Sequence, residues 1–177
     1  MKHYWLYTKY VLKHKWFVFI YCWEFGIPIR GLLHDLSKFR PKSFITYARY
    51  FYGEDSANNK ALKEQINYQW LYHLHLNKHH WQYWTLREDT GRTKCLEMPS
   101  SYMKEMVADW LSVDRVKNGK APRKEMAKRT IKWYENHKKS IKLHKKTKVW
   151  VEWFLSLKAE QKRQLSPEDV IILLDEK

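Results

Sequence analysis

A chain of 177 residues fits one domain and is long enough to bury roughly two thirds of the surface its unfolded form exposes. Lys and Arg number 34 against 19 Asp and Glu, a formal charge of +15, yet 44% hydrophobic and 16% aromatic residues exclude a disordered polyelectrolyte. Five Gly and five Pro are too few for a many-stranded sandwich or barrel, and two cysteines, Cys22 and Cys95, exclude a disulfide framework and a Cys-based zinc site.

The expected fold class is therefore all-α, and the elements follow one another between short breaks. Residues 3 to about 25 place His3, Tyr7, Tyr10 and His14 on one helical face. The apolar run Trp16 to Trp23 ends at Glu24 after eight residues, well short of the roughly 20 that cross a bilayer. It follows a basic start (Lys2, Lys9, Lys13, Lys15), but bulky aromatics fill it and no small-residue cleavage site follows, which argues against a signal peptide. A reducing cytoplasm and no membrane partner are the expectation. Gly26-Ile27-Pro28 breaks the first helix, and a second, short one is expected from Pro28 through about Leu36. Pro41-Lys42-Ser43 begins a third, Gly53 to Asn59 reads as a loop, and a fourth helix spans about Lys60 to Asn77.

A polar loop containing Gly91 and Pro99 leads to a fifth helix, from Ser100 or Ser101 to Val116, with Met103, Met106, Val107, Trp110 and Leu111 spaced for burial. Residues 117 to 148 carry 13 basic and 2 acidic side chains, +11 of the +15, and read as one basic amphipathic helix opened by Gly119-Lys120-Ala121-Pro122. Ser166-Pro167-Glu168-Asp169 marks the start of a last helix. The single domain thus divides into a core of about 1–116, the basic helix, and C-terminal helices over about 149–177. Trp5, Trp16, Trp23, Trp70, Trp110 and Trp133 are expected in the core.

Seven of the nine histidines precede residue 81, and the pair His34-Asp35 stands out among them. Consecutive helical side chains diverge by about 100°, so both reach one ion only at a helix end or between helices, with further ligands from elsewhere. His14, His73, His79, His80 and Asp109 are the candidates. Imidazole and carboxylate donors without thiolates suit one or two divalent ions, of Mn, Fe, Ni, Zn, Co or Mg. If the fourth helix continues, His73 and His80 share a face and His79 points away; if Asn77-Lys78 ends it, both can turn inward. Asp109 lies on the buried side of its helix, where an unpaired carboxylate is costly, with Asp114 as the alternative. His3, His75, His137 and His144 read as packed side chains.

The order His14, His34-Asp35, Asp109 resembles the H...HD...D signature of the HD-domain superfamily of metal-dependent phosphohydrolases. His34-Asp35-Leu36-Ser37-Lys38 resembles the H-D-x-x-K form of the HD-GYP branch, and His79-His80 resembles its paired histidines, although Trp81-Gln82-Tyr83-Trp84 stands where Gly-Tyr-Pro would be. A closer likeness is to short HD-like proteins of bacteria and phages that read HDLSKF and N-x-HHW-x-YW. The likeness spans roughly residues 10 to 115. It implies an HD-like helical bundle acting as a phosphohydrolase on a nucleotide or other phosphate ester. His14, His34, Asp35 and Asp109 would hold a first metal, Asp35 would bridge to a second, and His73 with His79 or His80 would complete it. Lys38 would neutralise phosphate charge beside Asp35, and Arg30 is a second phosphate candidate. Trp81 and Trp84 follow the ligands and are candidates to wall the pocket and stack on a nucleobase.

A reading from another class is a nucleic-acid-binding protein with a structural HD site, in which Arg123, Lys124, Lys128, Arg129 and Lys132 track phosphates along a groove. A solvated helix face accounts for those five residues equally well.

Overall fold

A computed structural model describes residues 1–54, 59–119 and 121–159. The last helix expected at Ser166 lies outside these residues. Among them are seven α-helices and one two-stranded hairpin, an all-α architecture.

Helix α1 (Lys2–Glu24) is the spine, burying Tyr7, Val11, His14, Val18, Tyr21 and Cys22 along one face, three or four residues apart up to Tyr21. It ends where Gly26 takes a left-handed φ of 74°, and Pro28 sits at the start of α2 (Pro28–Leu33), where its missing N–H costs nothing. Gly31 lets α2 press onto α1: a Cβ there would fall 2.7 Å from the Cys22 Cβ and 2.9 Å from the Phe19 Cα.

The second helix stops at Leu33, not near Leu36. Lys15 Nζ donates to the Leu32 and His34 carbonyls at 2.6 and 2.7 Å, occupying acceptors that a continuing helix would have used. His34 turns extended, Asp35 takes φ 54°, and a short 3-10 helix (Leu36–Phe39) follows. Pro41 then opens α3 (Pro41–Tyr52). Helix α4 (Lys60–Leu76) is capped by the Asn59 side chain, which accepts from Leu62 N at 2.9 Å, and it stops at Asn77.

A 3-10 turn (Trp81–Trp84) leads into a hairpin where the sequence reads as loop. Strand β1 (Thr85–Arg87) pairs antiparallel with β2 (Thr93–Cys95), Leu86 opposite Lys94. Strands of three residues are too short to show an alternating pattern. Helices α5 (Ser100–Asn118), α6 (Arg123–His137) and α7 (Lys145–Lys158) complete the described chain. The basic stretch is therefore not one helix. Pro122 cannot continue α5, and the backbone turns again after His137, so the charge is shared among the end of α5, α6, a turn and the start of α7. Part of it is neutralised internally, with Arg123 on Glu24 and Arg129 on Asp114.

Two apolar clusters flank the middle of α1. Val18, Cys22, Met103, Met106, Leu111, Val151 and Leu155 belong to the larger one, built from α1, α5, α6 and α7. Tyr7, Val11, Tyr47, Ala48 and Ile66 form the smaller one, between α1, α3 and α4. Of the six tryptophans expected inside, Trp110 is partly buried against the larger core, Trp5, Trp16 and Trp23 are exposed, and Trp70 and Trp133 are 42% and 41% exposed. Val11, His14, Val18 and Cys22 take the inward face of α1, which leaves its tryptophans on the outward one. No helix among the described residues is long and apolar enough to cross a membrane.

Candidate metal centre

His14 projects from α1 between the two clusters, into a space that the break after α2 also reaches. Because Asp35 is left-handed, His34 and Asp35 do not diverge as they would on a helix, and both side chains are buried at one point. Asp35 is the only described non-glycine residue with a positive φ; such a conformation costs on the order of 1–3 kcal/mol and collects at functional sites. His73 comes from the last turn of α4. Since α4 stops at Leu76, both His79 and His80 turn in, which settles the alternative left open by their spacing. Glu105, Asp109 and Ser112 stand at i, i+4 and i+7 on α5 and line the opposite wall.

The carboxylate of Asp35 is the hub. Its Oδ1 is 3.4 Å from both His73 Nε2 and His79 Nε2, and its Oδ2 is 3.3 Å from His34 Nε2 and 2.6 Å from Lys38 Nζ. Asp109 Oδ1 lies 3.0 Å from His14 Nε2 and 3.9 Å from His34 Nε2. His80 Nε2 is 2.9 Å from His73 Nε2. Three groups of potential ligand atoms converge within 4.8 Å of one another: Asp35 with His73, His79 and His80; His14 with His34 and Asp35; His34 with His79 and Asp109.

The other imidazole nitrogens are held from behind. His14 Nδ1 donates to Ser112 Oγ at 3.0 Å, because the Ser112 hydroxyl proton goes to the Asp109 carbonyl. His34 and His79 both donate Nδ1–H to one oxygen of Glu105, at 3.0 and 3.1 Å. His73 Nδ1 is 2.9 Å from Ser37 Oγ, which Asn77 Nδ2 also contacts at 2.9 Å. Four imidazoles are thus fixed through Nδ1 with Nε2 turned into the cluster, the arrangement in which outer partners orient metal-binding histidines.

What faces inward is held by charge contacts alone. His14 Nε2, His34 Nε2, His79 Nε2 and both Asp35 oxygens are buried with no aligned hydrogen bond, their short contacts being ion-pair contacts to Asp109, to one another and to Lys38 Nζ. So many buried polar atoms without aligned hydrogen bonds make a costly arrangement, which the Lys38 ammonium offsets at Asp35 Oδ2 and a bound cation would relieve further. The donor set, imidazole nitrogen plus carboxylate oxygen, fits a divalent transition metal.

Charges in the cluster are strongly coupled. Burial alone would push His34 down, but Asp35, Glu105 and Asp109 raise it to about 9. Burial would push Glu105 up, but the bonds from His34 and His79 hold it at about 2. Asp35 and Asp109 are held well below the usual carboxylate range against the same burial, by His34 and Lys38 for Asp35 and by His14 and His34 for Asp109. Burial lowers His73 to about 4 and also lowers His14 and His80. The centre therefore keeps its carboxylates ionised and favours neutral His14, His73 and His80, while His34 holds a proton that a bound ion would displace.

His14, His34, Asp35, His73, His79, His80 and Asp109 come together, with Lys38 on the Asp35 carboxylate. Asp114 stands apart, paired with Arg129. Arg30 lies 3.5 Å from Glu105 Oε2, with its guanidinium 3.6 Å above the Tyr102 ring, and so reaches the cluster through Glu105. Trp81 and Trp84 pack against the larger core, and Trp84 Nε1 donates to the Lys78 carbonyl, so both serve packing before any stacking role. Glu105 escapes a reading of the sequence by ligand pattern; its one local signal is that it stands four residues before Asp109, on the same helix face.

A family model described as a family of unknown function (DUF5662) matches residues 3–157. No curated protein and no solved structure matches the chain.

Proposed function

We propose, for a chain that belongs to the family of unknown function DUF5662, a metal-dependent phosphohydrolase activity on a nucleotide or other phosphate ester. The observation that carries this reading is the buried Asp35 carboxylate, which two groups of potential ligand atoms share. His14, His34 and Asp109 with Asp35 would hold one divalent ion, and Asp35, His73, His79 and His80 a second. A pair of such ions supplies Lewis acidity and activates water at neutral pH, which is what phosphoryl hydrolysis requires. The likeness of the His14, His34-Asp35, Asp109 order to HD-domain phosphohydrolases supports the same reading.

The chain's own residues define how substrate would approach. His14, His34, Asp35, His73 and His79 are buried, whereas Lys38, Asp109 and His80 keep some exposure, so the ester would enter along the edge they form. The Lys38 ammonium, held on Asp35 Oδ2 when no ion is bound, would be released to a phosphoryl oxygen once that carboxylate is committed elsewhere.

Metal analysis of the full chain, followed by turnover of a phosphomonoester, a phosphodiester and a nucleotide panel with Mn or Ni, tests the proposal. About one or two divalent ions per chain are expected, and Asp35→Ala should lose both metal and turnover with helical circular dichroism intact. A chain that binds no divalent ion, or an Asp35→Ala chain that binds and turns over as before, overturns it.

A further inference from the structure

The outward face of α1 carries large apolar side chains that nothing described covers. Trp5 is 68%, Leu12 53%, Trp16 59% and Trp23 66% exposed, and the partly buried Phe19 ring lies 6.0 Å from both Trp16 and Trp23. These positions follow a heptad seam: Trp5, Leu12 and Phe19 recur every seven residues, and Lys9, Trp16 and Trp23 recur every seven between them. On α2, which rides on α1 at Phe19 and Cys22, Ile29 and Leu32 are exposed as well. Exposed apolar surface of this extent on one helix face marks an interaction face.

We infer that this face joins two copies of the chain through an antiparallel pairing of their α1 helices across a twofold axis. The seam is palindromic. Residues 5, 12, 16 and 23 are symmetric about position 14, so a dyad there sets Trp5 against the partner copy's position 23 and Leu12 against its position 16. The remaining pair sets Lys9 against a Phe19 ring, where the one polar member of the seam finds a cation–π partner. An isologous contact of this kind needs a self-complementary patch, and the symmetry supplies one.

Area and the placement of the nearby lysines favour a second copy over other occupants. Aromatic side chains offer roughly 150–250 Å² each, so three tryptophans about two thirds exposed, with Leu12 and the α2 shoulder, present on the order of 700–800 Å² per copy. That is about what each partner contributes to a standard stable interface, near 800 Å². The two lysines nearest the dyad are turned away from it: Lys13 Nζ donates to the Val116 carbonyl, and Lys15 Nζ to the Leu32 and His34 carbonyls. The like net charges of two copies would resist association at a distance, so the dimer should tighten as salt rises, opposite to the salt response of a bound polyanion or an anionic membrane.

Sedimentation of the full chain across concentration and salt tests this independently of any metal. Wild type should be a dimer, and Leu12→Glu or Trp16→Glu, each placing a charge twice beside the dyad, should weaken it by about 100-fold or more with helical circular dichroism unchanged. Should either fail to fold, Lys9→Leu provides the converse: removal of the seam's polar residue should tighten the dimer by about tenfold. A chain carrying Leu12→Cys mixed with one carrying Trp16→Cys should cross-link in preference to either alone. A wild-type monomer at 100 µM would overturn the inference. So would a dimer indifferent to these changes, or a monomer that floats with anionic phospholipid vesicles.

Discussion

Glu105 tests the logic of the centre more sharply than any direct ligand, because it touches no ion in the proposed site and yet serves both. One of its oxygens accepts from His34 Nδ1 at 3.0 Å and from His79 Nδ1 at 3.1 Å, and each ring belongs to a different proposed ion. Glu105→Gln keeps the shape but removes the charge, so two charge-assisted bonds become neutral ones of roughly half the strength. Arg30, 3.5 Å from the other oxygen, loses its counter-charge in the same step. Changing an outer partner of a metal-bound histidine typically lowers affinity about 10–100-fold, or roughly 1.4–2.7 kcal/mol. Both ions should therefore weaken by about that factor in calorimetric titrations with Mn or Zn. Ser112→Ala, which touches only the His14 side, should weaken one ion alone. Wild-type affinity for both ions in Glu105→Gln, or a loss confined to one, would refute the shared-support argument. Absence of metal from the wild type would instead remove the proposed function.

In chelator-treated protein, stability should peak near pH 6–7. His34, raised to about 9, contributes stability below its unfolded value near 6.5 that is lost as pH rises through 9, on the order of 3 kcal/mol. His73, lowered to about 4 by burial, contributes stability above 6.5 that is lost as pH falls toward 4, and Glu105 adds a further loss as pH falls toward 2. Denaturant melts from pH 4 to 9 will show this dome, and a flat profile would contradict it. Gly31→Ala places a methyl group 2.7 Å from the Cys22 Cβ and should cost about 1–3 kcal/mol by urea unfolding. It should also lower metal affinity, because His34 follows directly from α2; an unchanged midpoint would mean that α2 shifts freely.

Much of the helical framework was legible because its signals are local. Pro28 and Pro41 at helix starts, the Gly26 break and the apolar periodicity of α5 act within one or two turns, where i to i+4 contacts decide the backbone. The ligand chemistry was legible for the same reason: His34-Asp35 and His79-His80 are adjacent in the chain, and residue type alone restricts what they can bind. The exceptions are instructive. Lys15 caps the terminal carbonyls where α2 stops, and the left-handed Asp35 that follows aims two neighbouring side chains at one point. Nothing near Leu33 in the chain announces that its carbonyl neighbours, Leu32 and His34, are capped by a lysine 17 and 19 residues earlier.

Tertiary structure alone decided the rest. Glu105 supports His34 across 71 residues and Ser112 supports His14 across 98, contacts that local propensity cannot encode because they exist only once α5 packs on α1. The tryptophans show the same division. Their number and helical spacing are properties of the sequence, but which side of α1 becomes interior depends on where α2, α3 and α5 dock. That docking buried Val11, His14 and Val18 and left Trp5, Trp16 and Trp23 facing out. Hydrophobicity drives burial without direction, so amino-acid type sets how strongly a side chain seeks an interior, and only the packing of distant helices determines which face receives one.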